Sequence, residues 1–166
     1  MAQYITLDDA GTLPAWRRPI TLLFLMAFAM PIGFSVWLAL LNNFVVDAAN
    51  FDGADIGLLH AIREIPGFLA VGVIVVIMFM REQVLGLMSL VMLGVATALT
   101  AQFPQMGGIL ALTFISSIGF HYYETVNQSL QLQWLPKDRA PQMLGWLLAA
   151  GSTATFLVYF VIMVLW

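Results

Sequence analysis

The feature that most constrains this chain is its division into five long apolar runs, at about residues 19–45, 56–80, 84–102, 108–134 and 141–166. A helix needs about 20 mostly apolar residues to cross a hydrocarbon core, and each run approaches or exceeds that length. Inside lipid every backbone N–H and C=O must be bonded within protein, which leaves helices or closed barrels. Barrel strands read as alternating segments of about ten residues, and these runs are continuous. Soluble domains keep about a quarter of their residues charged, whereas this chain is 9% charged and 61% hydrophobic. The predicted fold class is therefore an all-α integral membrane protein. A tail over residues 1–18, with Asp8 and Asp9, precedes a five-helix transmembrane domain over 19–166.

Breaks between the runs follow turn chemistry and charge: "DAANFDGAD", "MREQ", "QFPQMGG" with Pro104 and paired glycines, and "LPKDRAP". Arg17 and Arg18 precede the first run, but that run far exceeds the roughly 7–15 residues of a signal-peptide core, so an uncleaved helix is expected. Of the six basic residues, Arg17, Arg18, Arg81, Lys137 and Arg139 fall on one side if the N-terminus is cytoplasmic, and the opposite loops 46–55 and 103–107 carry none. The positive-inside rule then predicts the N-terminus inside and the C-terminus outside. Pro66 is expected to bend the second helix by removing a backbone donor. Trp16, Trp134 and Trp166 fall near the expected interfaces, where aromatic belts form.

Composition excludes several classes. A net charge of −3 offers no basic footprint for nucleic acid. The absence of cysteine removes disulfides and thiolate metal sites, and two histidines make no metal cage, so neither metal nor cofactor is expected. No Gly-x-Ser-x-Gly elbow, HExxH motif or paired aspartates occur within the helices, and an enzyme is not expected.

The fourth run holds the chain's densest polar pattern, "GFHYYETVNQSLQLQW" over 119–134. Ser117, His121, Glu124, Gln128 and Gln131 step by four, three, four and three, so they share one helical face, with Asn127 beside it. An ionisable group facing mid-bilayer lipid costs at least about 2.5 kcal/mol. The stripe must face a water-filled cavity or other helices, as a solute or proton pathway in the first case and as interhelical glue in the second. His121 and Glu124, three apart, can touch as a proton-coupling pair or a static hydrogen-bonded one.

A second cluster, "HAIREIPG", places His60, Arg63 and Glu64 near the outer end of the second helix. A structural ion pair, a snorkelling anchor, or an outer-gate bridge from Arg63 to Asp47 or Asp55 is expected there. In the fifth run Gly145, Ala149, Ser152, Thr155 and Tyr159 recur at helical spacing and read as a close-packing face.

The arrangement resembles the N-terminal part of a major facilitator superfamily transporter. The similarity lies in helices of about 25 residues, the very short loop "MREQVLGLM", the longer loop "QWLPKDRAPQMLG" and the lead-in "FDGADIGLLHAIREIPGFL". Arg81 matches a basic position of the family's short loop, but its Gly–Asp portion is replaced by "IMFM", and the fifth run lacks a Gly-Pro element, so drug/proton antiport is not implied. The resemblance implies an incomplete six-helix half, built from inverted three-helix repeats, with the first and fourth helices lining a central cavity.

It further implies part of a secondary-active transporter, moving a small solute by alternating access, in a bacterial inner (plasma) membrane. Membrane lipid surrounds it, and missing C-terminal helices of a truncated chain, or a partner subunit, complete the cavity. The alternative is a non-transporting scaffold or assembly subunit that binds other membrane proteins.

Overall fold

In the computed structural model, which describes residues 13–15 and 18–165, the chain is all-helical, with no strand among the described residues. Asp8, Asp9, Trp16, Arg17 and Trp166 lie outside the described residues. Five long helical stretches are present: α1 (Pro19–Ala49), a second stretch broken into α2 (Gly53–Leu69), a 3₁₀ turn (Ala70–Gly72) and α3 (Val73–Val76), then α4 (Glu82–Thr100), α5 (Met106–Trp134) and α6 (Ala140–Leu165). Four of the five are long and apolar enough to cross a membrane; α5 is the exception. The polar stripe lowers its hydropathy, and packing compensates, because α5 lies against α4, α2 and α1. The chain is a multi-pass membrane protein by the length and composition of these helices.

Each boundary has a local cause. Pro19 opens α1 at a position whose N–H no helical bond requires. Helix α1 ends at Asn50, which adopts the left-handed region (φ 54°) that asparagine tolerates, and Phe51 N–H donates to Val45 O at 3.0 Å. Asp52 then starts α2 with a capping box: its Oδ1 accepts from Ala54 and Asp55 N–H at 2.8 and 2.9 Å, and Asp55 Oδ2 accepts from Asp52 N–H at 3.1 Å. The two end groups leave only Asn50–Asp52 between helices, a shorter link than the expected 46–55. At 31 residues, α1 is about 46 Å long, well beyond a hydrocarbon core of about 30 Å. The excess carries the exposed Asn42, Asn43 and Asp47.

The helical break in the second stretch does not fall at Pro66, which is buried inside α2, but one turn later at Ala70–Gly72. Close packing accompanies it: a Cβ on Gly72 would stand 2.8 Å from the Tyr122 hydroxyl of α5. Helix α5 is approached as closely by α4, since a Cβ on Gly119 would lie 2.6 Å from Ser89 O and 2.8 Å from Leu93 N. On the other flank, α6 packs on α1 through Leu147, Gly151, Ala154 and Thr155, and Ser35 Oγ donates to Thr155 Oγ1 at 3.4 Å. Of the small-residue face expected in α6, only Thr155 is used. Gly145 faces open space, and Ala149, Ser152 and Tyr159 are exposed. Periodicity placed small residues on that face, but Gly151 lies against the backbone of α1 beside Pro31.

Two apolar clusters sit at opposite ends. Leu23, Met26, Val73, Leu85, Tyr123, Val126 and Leu130 pack at the Arg81 end, and Trp37, Leu41, Val45, Phe51, Leu59 and Ile109 at the Asp52 end. At the Arg81 end, Gln133 Nε2 also donates to both carboxylate oxygens of Glu82 at 3.1 and 2.9 Å, joining α5 to the first turn of α4.

Gly119→Ala should lower stability by about 1–3 kcal/mol, because backbone on the facing helix cannot yield cheaply. Gly145→Ala, with nothing within 4 Å of its Cβ, should leave stability unchanged or raise it by up to about 1 kcal/mol through reduced unfolded-state entropy. Thermal unfolding in detergent compares the two.

Candidate functional site

Between the two apolar clusters lies a pocket of about 260 Å³, lined by Phe34 and Trp37 of α1, Arg63 and Glu64 of α2, Leu93 of α4, and Ser116, Ser117, Phe120 and His121 of α5. Its depth follows from helix positions. Phe34 is the middle residue of α1 and Phe120 of α5, and Glu64 lies at the centre of the Gly53–Val76 stretch. The two polar clusters separated by more than fifty residues in sequence therefore meet halfway along their helices.

Arg63 is the chief electrostatic feature. Its Nε donates to Glu64 Oε1 at 2.9 Å, and Nη2 donates to the same oxygen. Neighbours in sequence do not normally face each other on a helix; here the long Arg63 side chain turns so that its edge meets the carboxylate. The flat guanidinium also lies over the Trp37 ring, 5.2 Å from its centroid, where the ring quadrupole attracts a cation. The Arg63 side chain is 30% exposed and that of Glu64 57% exposed, so the pair forms an open wall of the pocket.

The remaining walls are aromatic. Phe34 stacks on Phe120 at 4.8 Å and on Trp37 at 6.4 Å, and His121 meets Phe120 edge-on at 5.2 Å. The His121 ring lies against Gly67 of α2, whose added Cβ would stand 3.3 Å from Cε1. Ser117 Oγ donates to the Arg63 carbonyl, tying α5 to α2 at pocket level. The indole N–H of Trp37 is buried and finds no acceptor among the described residues.

The sequence-derived candidates divide accordingly. Ser117, His121, Arg63 and Glu64 enter one pocket. His60 stands beside it, edge-on to Trp37 at 6.4 Å. Glu124, Asn127 and Gln131 continue the stripe half-buried beyond the pocket, Gln128 is exposed, and Asn127 Oδ1 has no hydrogen-bond partner among the described residues. The expected His121–Glu124 pair is not among the ion pairs or hydrogen bonds of the described residues. His121 turns instead toward Gly67, where a missing side chain leaves room for its ring.

The outer-end location expected for Arg63 is also corrected. Helix α2 starts at Gly53 rather than 56, which puts Arg63 about 15 Å along it. It pairs with Glu64 rather than with Asp47 or Asp55, and Asp55 is engaged in the capping box. Arg81, Lys137 and Arg139 lie outside the helices at the opposite end, exposed, with Arg139 3.6 Å from Asp138.

Phe34, Trp37, Ser116 and Phe120 were not singled out from sequence. Their adjacency to polar candidates in one helix, as with Phe120 and His121, was the available signal, but apolar rings are uninformative in so apolar a chain. Comparisons with family models, with curated proteins and with solved structures gave no match.

The Arg63–Glu64 pair predicts non-additive mutational effects. Arg63→Gln leaves the carboxylate unpaired and, with Glu64 57% exposed on the pocket wall, should cost about 0.5–1 kcal/mol. Arg63→Gln with Glu64→Gln together should recover most of that loss. A double-mutant cycle on thermal stability checks the coupling.

Proposed function

We propose that this chain forms part of a secondary-active transporter of the major facilitator type, with the mid-span pocket as its solute site. The observation that carries the reading is the meeting of Arg63, Glu64, Ser117 and His121 with three aromatic rings at the centre of the helices. Intramembrane ionisable residues mark substrate or ion pathways by default, and transporter sites lie near the midplane between repeated units. A volume of about 260 Å³ suits a small solute, being just under the roughly 300 Å³ where drug-sized sites begin.

Helix pairing supports the same reading. The first long stretch packs on the fifth, as α1 on α6, and the fourth packs on the second, as α5 on α2. Exchanging a first three-helix unit with a second turns one of these pairs into the other, as inverted repeats require. The distribution of basic residues favours the N-terminus and the Arg81 end on the cytoplasmic side, and the family resemblance implies a bacterial inner membrane as the location. Helices beyond those described, or a partner subunit, then cover the half-exposed stripe from Glu124 to Gln131.

That stripe also favours a second reading. Gln128 is exposed and Asn127 Oδ1 unsatisfied, so the face calls for water or another protein, and a scaffold that binds a membrane partner there meets the same need.

Cells producing the complete reading frame, supplied with a mixture of small metabolites, should accumulate or lose particular solutes relative to cells without it. Arg63→Gln, Glu64→Gln and His121→Ala should each reduce that flux at least tenfold at equal membrane abundance. Uptake unaffected by all three removes the pocket from the transport path. A stable complex with another membrane protein, without solute flux, selects the scaffold.

A further inference from the structure

A second concavity, larger than the pocket and chemically unlike it, runs along α4. It encloses about 720 Å³ between α3, α4 and α5, with Val76, Met80, Val84, Met88, Val95 and Ile118 among its walls. Apart from the hydroxyls of Ser89 and Tyr122, every lining side chain is apolar. It lies on a different face of α5 from His121 and Ser117. The break after Leu69 helps to form it, because the short α3 and the turn after it supply Val76 and Met80 to one wall.

Charge at one end distinguishes this groove from an ordinary apolar surface. Arg81 lies in the chain between two wall residues, Met80 and Val84. It is exposed and makes no ion pair among the described residues. The adjacent Glu82 carboxylate is oriented toward the Gln133 amide, at 3.1 and 2.9 Å, and makes no contact ion pair with Arg81. Helix α4 has 19 residues, about 28 Å, which matches a hydrocarbon core of about 30 Å. Arg81, immediately before α4, therefore stands at the level of lipid phosphates while the groove descends from it into the hydrocarbon.

We propose that this groove is a binding site for an anionic phospholipid, one acyl chain lying along α4 beside Val84 and Met88 and the phosphate paired with Arg81. An anionic headgroup suits the site better than a zwitterionic one, whose own cation competes with Arg81 for the phosphate. The assignment is independent of the solute pocket and holds for a transporter or a scaffold.

The test uses purified protein in nanodiscs with equal mole fractions of phosphatidylglycerol and phosphatidylcholine. Lipids retained after transfer to detergent are counted by native mass spectrometry. Phosphatidylglycerol should be retained about fivefold over phosphatidylcholine, the increment one basic residue contributes near a membrane surface. Arg81→Gln should bring that ratio close to one. Met88→Trp, placing an indole in the groove beside the acyl chain, should reduce retention of both lipids. Equal retention of the two by the unaltered protein overturns the proposal, as does a preference undiminished by Arg81→Gln. A protein chain retained in place of lipid, and lost in Met88→Trp, also overturns it by making the groove a helix-docking surface.

Discussion

Hydrocarbon solvates neither backbone amides nor charged side chains, and the structure depends on how each such group is satisfied. The backbone is satisfied by helix formation, which accounts for five long helices joined by links as short as Asn50–Asp52. Exposed helix ends are closed locally, by the left-handed Asn50 and the Asp52–Asp55 capping box at one junction. Side chains that helices cannot satisfy are drawn inward. Arg63 shows the outcome most clearly: its charge is shared between the Glu64 carboxylate and the Trp37 ring instead of being left to lipid.

Helix α5 is where these demands converge. It has the most polar sequence of the long helices and touches three others. Its contacts rely on absent side chains as much as on present ones. Gly119 admits the α4 backbone, while Gly67 and Gly72 of α2 and the 3₁₀ turn admit His121 and Tyr122. Without a hydrophobic driving force between helices in lipid, close approach of this kind and hydrogen bonds such as Ser117 to the Arg63 carbonyl supply the association energy. The same contacts set the pocket walls, so packing and the proposed solute site are products of one interface.

The pocket and the groove on α4 show two ways of meeting the surrounding solvent. The pocket gathers donors, a carboxylate and aromatic faces at the middle of the helices. The groove is apolar along its length and bounded by a cation at its end. The first is the proposed site for a small polar solute; the second is the proposed site for the amphipathic molecule that a membrane itself provides.

Much of the architecture was legible in the chain, because a long apolar run admits only one common solution in lipid. The number of long helices, their approximate limits and the polarity of one face of α5 all follow from local pattern. So does the need of His121 and Glu124 for something other than lipid. Other features were settled by contacts distant in sequence. His121 meets Gly67 rather than Glu124, the second helix breaks at Ala70–Gly72 rather than Pro66, and α6 uses Gly151 rather than Gly145. Periodicity states which residues share a face, but not which helix that face will meet. Only tertiary packing could bring Arg63 over Trp37 and beside Ser117, because the close approach of α2 to α5 depends on glycines whose partners lie fifty or more residues away.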